Sequence, residues 1–238
     1  RALAPGASLT ALAPNGKGGA RIGKELQAFG CTVSETAKSH YRICRAERPA
    51  HLTGIEAAIT AGGQQYVDAT GFWSQPGIFS WDRIDPGSAL LVEHVVAIAG
   101  RGADFGCGHG FLARRILASP AVQELILIDL DRRAIAAARR NVEDPRVRFI
   151  WDDLRKPGAI PGGLDFIVMN PPFHDSGEEN KALGQLFIRR ASEVLRPGGV
   201  CWLTANRHLP YEAALAAHFS SAKLRADRDG YKIYEAKR

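Results

Sequence analysis

From Ser88 onward, short apolar runs alternate with segments whose apolar residues recur every three or four positions. The alternation predicts helices over 88–98, 110–118, 131–143, 182–196 and 211–219. Between them it predicts strands over 101–105, 124–129, 147–151, 164–169 and 200–205. In the fourth helix Leu183, Leu186, Phe187, Ala191 and Val194 recur at helical spacing, and Gly198-Gly199 marks its end. Strands joined through helices lie parallel, so the expected fold is α/β with a parallel, doubly wound sheet. Two further strand-like runs, near Leu224 and over 231–235, flank Asp229-Gly230, a hairpin signal that adds an antiparallel strand at the sheet's end.

The earlier part is less regular. A strand near 9–12, a helix near 20–29 and alternating segments over 32–38 and 41–44 make a short α/β unit, too small for a stable separate core. A connection over 62–77, punctuated by Gly and Pro, carries Phe72 and Trp73 into the larger half. The expected division is therefore a partial N-terminal unit with its linker over 1–75 and a larger domain over 76–238.

Composition narrows the class. With 238 residues, 45% of them hydrophobic, the chain can bury one large core plus a smaller appended unit. No run approaches the roughly 20 apolar residues of a bilayer helix, and the N-terminal segment lacks the pattern of a secretion signal. The expectation is a cytoplasmic protein without a membrane partner. Cys31, Cys44, Cys107 and Cys201 form no CxxC, and no histidine stands in HExxH, so structural thiols and no metal are expected. The excess of 31 basic over 25 acidic side chains suits a polyanionic partner without requiring one. Gly18 to Lys24 spells GxxxxGK, but Glu25 occupies the Ser/Thr position of a phosphate loop. Lys17, Arg21 and Lys24 are read instead as a solvated or RNA-facing surface.

The candidate chemistry sits at strand ends. The strand over 101–105 runs into Asp104-Phe105-Gly106-Cys107-Gly108-His109-Gly110 and then directly into a helix. Glycines there admit close backbone approach by a ligand at the carboxyl edge of the sheet. A dinucleotide fingerprint would need its third glycine at 111, where Phe111 stands, so DxGxGxG favours a methyl donor over a nicotinamide cofactor. Asp129, at the next strand end, can accept both hydroxyls of a ribose, while Asp131 is read as a helix N-cap. Asp153, preferred to Asp152, can accept from an adenine amino group at the third strand end.

The fourth strand ends in Asn170-Pro171-Pro172-Phe173. The prolines hold the backbone extended. The Asn170 carboxamide oxygen and the Pro171 carbonyl can then both accept from a planar –NH2 group, aiming its lone pair at an electrophilic methyl. Phe173 offers a face for base stacking, worth about 1–3 kcal/mol. His174 adjoins this site and is read either as part of it or as a hydrogen-bonding loop residue.

Residues 76–238 resemble the catalytic domain of class I methyltransferases of the ribosomal-RNA guanine-N2 type, the RsmC/RlmG family. The match is carried by Pro76-Gly77-Ile78-Phe79-Ser80, by DFGCGHG, by NPPFHD over 170–175, and by Asn206 with Leu209-Pro210-Tyr211. NPPF alone is shared with adenine-N6 enzymes and, as NPPY, with glutamine methyltransferases; a non-catalytic RNA-binding relic is a third alternative. The resemblance implies a seven-stranded, Rossmann-like sheet, and S-adenosylmethionine is expected to be held by Asp104, Gly106, Gly108, Gly110, Asp129 and Asp153. It further implies methyl transfer to guanine N2 at Asn170, Pro171 and Phe173, on ribosomal RNA or a ribosomal subunit. Residues 1–70 resemble only the last part of a preceding domain, so the sequence is expected to be a piece of a longer protein.

Overall fold

The computed structural model describes residues 2–156, 158, 160–175, 178–179 and 181–238. The chain divides into two compact units, one ending at Gly63 and the other spanning Gln64–Arg238.

In the first unit, β1 (Ser8–Pro14), α1 (Gly19–Ala28), β2 (Thr32–Lys38), β3 (Tyr41–Glu47) and α2 (Ile55–Gly62) follow one another. The strands form an antiparallel sheet in the order β1-β3-β2. The GxxxxGK stretch lies on α1, where a Cβ at Gly23 would fall on the Glu35 carboxylate, so the glycine there serves helix-on-sheet packing. α2 was not foreseen.

The second unit contains β4 (Gln65–Val67), β5 (Phe72–Ser74), α3 (Pro86–His94), β6 (Gly100–Phe105), α4 (Phe111–Ile116), β7 (Val122–Asp129) and α5 (Arg132–Asn141). It continues with β8 (Val147–Trp151), β9 (Leu164–Met169), β10 (His174–Asp175), β11 (Glu178–Glu179), α6 (Lys181–Val194) and β12 (Leu195–Asn206). It closes with α7 (Glu212–His218), β13 (Ser221–Arg228) and β14 (Tyr231–Lys237). Seven strands form one sheet in the order β13-β14-β12-β9-β6-β7-β8. β12, β9, β6, β7 and β8 are parallel, and β14 pairs antiparallel with both β12 and β13.

Period-two burial on both faces explains the near-continuous apolar strands. On one side Ile126, Ile128, Ile167, Met169 and Leu203 pack with Ile188 and Ala191 of α6 and Leu215 of α7. On the other, Leu125, Leu127, Phe166, Val168 and Trp202 pack with Leu91 of α3, Leu112 of α4 and Ile135 of α5. The Asp229-Gly230 turn has φ of 55° and 84°, the pair of positive values that a tight hairpin requires.

Besides α2 and the short β10–β11 pair, further details of the large unit differ from the sequence reading, among them the end of α6, at Val194 rather than at the two glycines. The first helix of the large unit spans 86–94 rather than 88–98, because Asp85 caps it and Pro86 takes its first turn. The connection over 62–77 contains the β4–β5 hairpin, whose three-residue strands are too short for a periodic signal. The strand expected from 200 begins at Leu195, with a register shift before Val200 across the two glycines.

Candidate active site

The carboxyl ends of β6, β7, β8 and β9 meet at one cavity of about 410 Å3. Gly106, Gly108, Asp129, Asp153, Asn170, Pro171 and Phe173 all line it.

The glycine turn is fastened to β7 by backbone. The N–H groups of Gly106 and Cys107 both donate to the Ile128 carbonyl, at 2.9 and 3.1 Å. The Gly108 N–H donates to Asp129 Oδ2 at 2.9 Å, and the Asp131 N–H donates to Asp129 Oδ1 at 2.8 Å. Gly108 has φ of 54°, and a Cβ there would meet nothing within 4 Å, so the backbone borders open cavity space. Gly110 lies behind the cavity wall; its φ of 94° opens α4, and a Cβ would stand 2.9 Å from Val142 Cγ2. Its role there is packing of turn on helix. Asp131 caps α5 through Arg133 N–H at 2.8 Å, as its position suggested.

Asp104 sits beneath the turn, fully buried, and does not line the cavity. Neither carboxylate oxygen has a hydrogen-bond partner of normal length among the described residues. Burial pushes its pKa up to about 8, Asp129 adds to the rise, and the Ala113 backbone N–H opposes it. Asp129 is raised as well, mainly by burial and against its backbone hydrogen bonds. Asp153 faces the cavity but is already held by Arg155, whose Nε approaches both carboxylate oxygens at 2.9 and 3.0 Å. That guanidinium keeps the Asp153 carboxyl below the usual carboxylate range. Asp152 lines the same wall and accepts the Asp153 N–H at 2.7 Å.

Around the cavity, then, a chain of net charge +6 gathers Asp129, Asp131, Asp152 and Asp153 with Arg155. Asp153 is paired with Arg155 and Asp131 with Arg133, which leaves Asp129 and Asp152 as the carboxylates without an arginine partner among the described residues. Carboxylates beside an open glycine cradle suit a cationic nucleoside. S-adenosylmethionine, with its sulfonium and ammonium charges, fits such a donor set.

On the opposite wall, Asn170 Nδ2 donates to Asp85 Oδ2 at 2.8 Å and to Ser88 Oγ at 2.9 Å. Those bonds occupy the nitrogen end of the carboxamide, and the residue lines the cavity. Phe173 is half-buried against the core beside Pro171 and Pro172. The side chains of His174 and Asp175 lie outside those described, so the reading of His174 falls there too.

Several wall residues had no role in the sequence reading. Asp85 and Ser88 were missed, although Asp-Pro-Gly-Ser carries the signature of a capped helix start. Leu130 and Phe79 are 56% and 59% exposed and both line the cavity, an unusual exposure for large apolar groups. Phe79 lay inside a quoted motif; Leu130 had only its place after Asp129 as a signal.

The sequence model of the methyltransferase small domain family matches residues 69–235. Ribosomal RNA small subunit methyltransferase C of Stutzerimonas stutzeri is 32% identical over an alignment covering 98% of this chain and 72% of that protein. The protein of the same name from Pseudomonas entomophila is 34% identical, with 90% and 66% covered. Across such curated relatives the chain spans from 46% to 72% of their length. Among solved structures, the T. thermophilus 16S rRNA N2 G1207 methyltransferase, in complex with AdoMet and guanosine, superposes with a TM-score of 0.81. It is 24% identical, covers all of this chain and is itself covered to 66%, a likeness of fold. With the family model matched over 69–235 and a relative aligned along nearly the whole chain, the chain belongs to the methyltransferase small domain family.

Proposed function

We propose that this chain transfers a methyl group from S-adenosylmethionine to the exocyclic 2-amino group of a guanine in ribosomal RNA, that of the small subunit. The proposal takes 76–238 as the catalytic domain, 1–75 as part of a preceding domain with its linker, and the cytoplasm as its location. No helix among the described residues is long and apolar enough to cross a membrane. The observation that carries the reading is a single cavity walled by Gly106, Gly108 and Asp129 on one side and by Asn170, Pro171 and Phe173 on the other. The relatives named for ribosomal RNA and the structure holding guanosine supply the substrate class.

When bound, S-adenosylmethionine supplies an electrophilic methyl on a sulfonium. Gly106 and Gly108 admit its backbone-side approach, Asp129 accepts from the ribose hydroxyls, Asp153 stands at the adenine end, and Asp104 and Gly110 support the turn from behind. Asn170 Oδ1 and the Pro171 carbonyl accept from the amine and hold its lone pair toward the methyl. Phe173 stacks on the base and offsets part of the cost of taking it out of its helix. The amine proton leaves to water after transfer, so this mechanism requires no general base of shifted pKa.

Incubation with isotopically labelled donor and unmethylated small ribosomal subunits, followed by digestion and mass analysis of nucleosides, tests the reading. N2-methylguanosine is expected. A label in N6-methyladenosine or in protein glutamine would replace it.

A further inference from the structure

The Asn170 carboxamide has only one tenable orientation. A primary amide carries two N–H donors, and here one meets Asp85 Oδ2 at 2.8 Å and the other Ser88 Oγ at 2.9 Å. Turned over, its carbonyl oxygen would face a carboxylate oxygen at the same short range, two acceptors with no proton between them. We propose that Asp85 and Ser88 are positioning residues for the transfer: together they hold Asn170 Oδ1 toward the cavity, where it accepts from the substrate amine. The inference rests on the reading of Asn170 as that acceptor.

The two positioning groups are themselves held. Asp85 Oδ2 also accepts the Ser88 N–H at 2.8 Å, closing the N-cap of α3, and Pro86 follows it. Ser88 is 8% exposed. Between them Gly87 is pressed so closely on the sheet that a Cβ would meet the Tyr231 ring at 2.6 Å and Thr204 Oγ1 at 3.0 Å. The first turn of α3 is therefore packed directly on β12 and β14 of the sheet that carries β9. A freely turning amide would spend part of its time presenting –NH2 to the substrate's –NH2, which neither accepts from it nor activates it. A locked amide presents its oxygen before the substrate arrives, the preorganisation on which electrostatic catalysis depends.

The test uses Ser88→Ala, Asp85→Ala, Asp85→Asn, Asn170→Asp and the double variant D85N/N170D. Ser88→Ala leaves the helix cap intact, so it remains informative if Asp85→Ala folds poorly. In the chain with isotope-labelled asparagine, the Asn170 side-chain NH2 signal, identified by its loss in Asn170→Asp, should exchange slowly with solvent. Ser88→Ala should speed that exchange at least fivefold. With donor and small ribosomal subunits, Ser88→Ala should lower kcat about tenfold with both KM values unchanged, the scale of one lost hydrogen bond. Asp85→Asn retains an acceptor at the same place and should lose less than Asp85→Ala. Asn170→Asp sets two carboxylates together and should be nearly inactive, and the double variant should recover at least tenfold over it, with a donor amide now facing a carboxylate. Unchanged exchange and kcat in Ser88→Ala and Asp85→Ala, or a double variant no better than Asn170→Asp, overturns the positioning role. If the unaltered chain methylates no guanine, the proposed function fails instead, and the exchange rates still decide the amide's orientation.

Discussion

The two walls of the cavity are built by different means. The wall at β6 and β7 is mainly backbone: a glycine turn hung from the Ile128 carbonyl and from the Asp129 carboxylate, with Asp104 buried beneath. The wall at β9 is mainly side chain: one carboxamide hydrogen-bonded to the N-cap and first turn of α3, beside two prolines and a phenyl ring. A backbone wall is part of the fold, so damage to it should weaken donor binding and stability together. A side-chain wall can be altered while the fold stands, so damage to it should appear in turnover.

The largest expected effect breaks the second wall alone. Asn170→Ala should lower kcat by about 100- to 1,000-fold, the usual loss of one preorganised polar group. Calorimetric affinity for S-adenosylmethionine should stay within about threefold of the original; an equal loss of both would erase the distinction between the walls.

Next comes Asp129→Ala on the first wall. It removes the acceptor for the Gly108 and Asp131 N–H groups together with the candidate ribose contact. Donor affinity should fall about 10- to 100-fold, as for hydrogen bonds to a charged group, and the melting temperature should drop with it. Lost affinity without lost stability would show that the turn stands without its carboxylate.

Asp104 provides a pH signature of the buried wall. Its folded-state pKa of about 8 lies above the ordinary carboxylate value, so the unfolded chain gives up this proton first. The contribution to stability is therefore fully present below about pH 4 and is lost as pH rises toward 8, by roughly tenfold in the folding constant per unit. Urea melts of the original chain and of Asp104→Asn should diverge across that window, with the variant gaining relative stability as pH rises. Parallel curves would mean that the buried carboxyl ionises at its ordinary pH.

The smallest effect belongs to Phe173→Leu, which keeps apolar bulk but removes the flat ring. An increase in the KM for RNA of about fivefold is expected, a partial loss of a stacking contribution of about 1–3 kcal/mol. The KM for the donor should not move, which can be read from the same kinetic series.

The two units differ in how far their sequences foretold them. Strands 147–151 and 164–169 were legible to the residue: the first, at the sheet's edge, is a short run of Val, Phe, Ile and Trp broken by the exposed Arg148, and the second is a central strand whose apolar run ends sharply. The hairpin at Asp229-Gly230 was legible because positive φ is a chemical demand on the residues themselves. The β4–β5 hairpin was not. It is held by residues distant in sequence: Asn141 bridges the Trp73 N–H and carbonyl at 2.7 Å each, 68 residues away, and Phe72 packs on the His109 and Phe111 rings. α2 was missed for a simpler reason: it lies in the smaller unit, where among the described residues only Cys44 and Ala46 are buried apolar side chains and periodicity carries little information.

The same division runs through the active site. The sequence alone determined that glycines would turn at the end of β6, that a carboxylate would follow β7 and that Asn-Pro-Pro-Phe would end β9, because each is a local requirement of chain geometry. Only the tertiary structure decided which groups the Asn170 amide nitrogen meets, that Asp153 is engaged by Arg155, and that Asp104 is buried and does not line the cavity. Those outcomes depend on partners brought together through space, Asp85 and Ser88 above all, and a linear pattern holds no measure of that proximity.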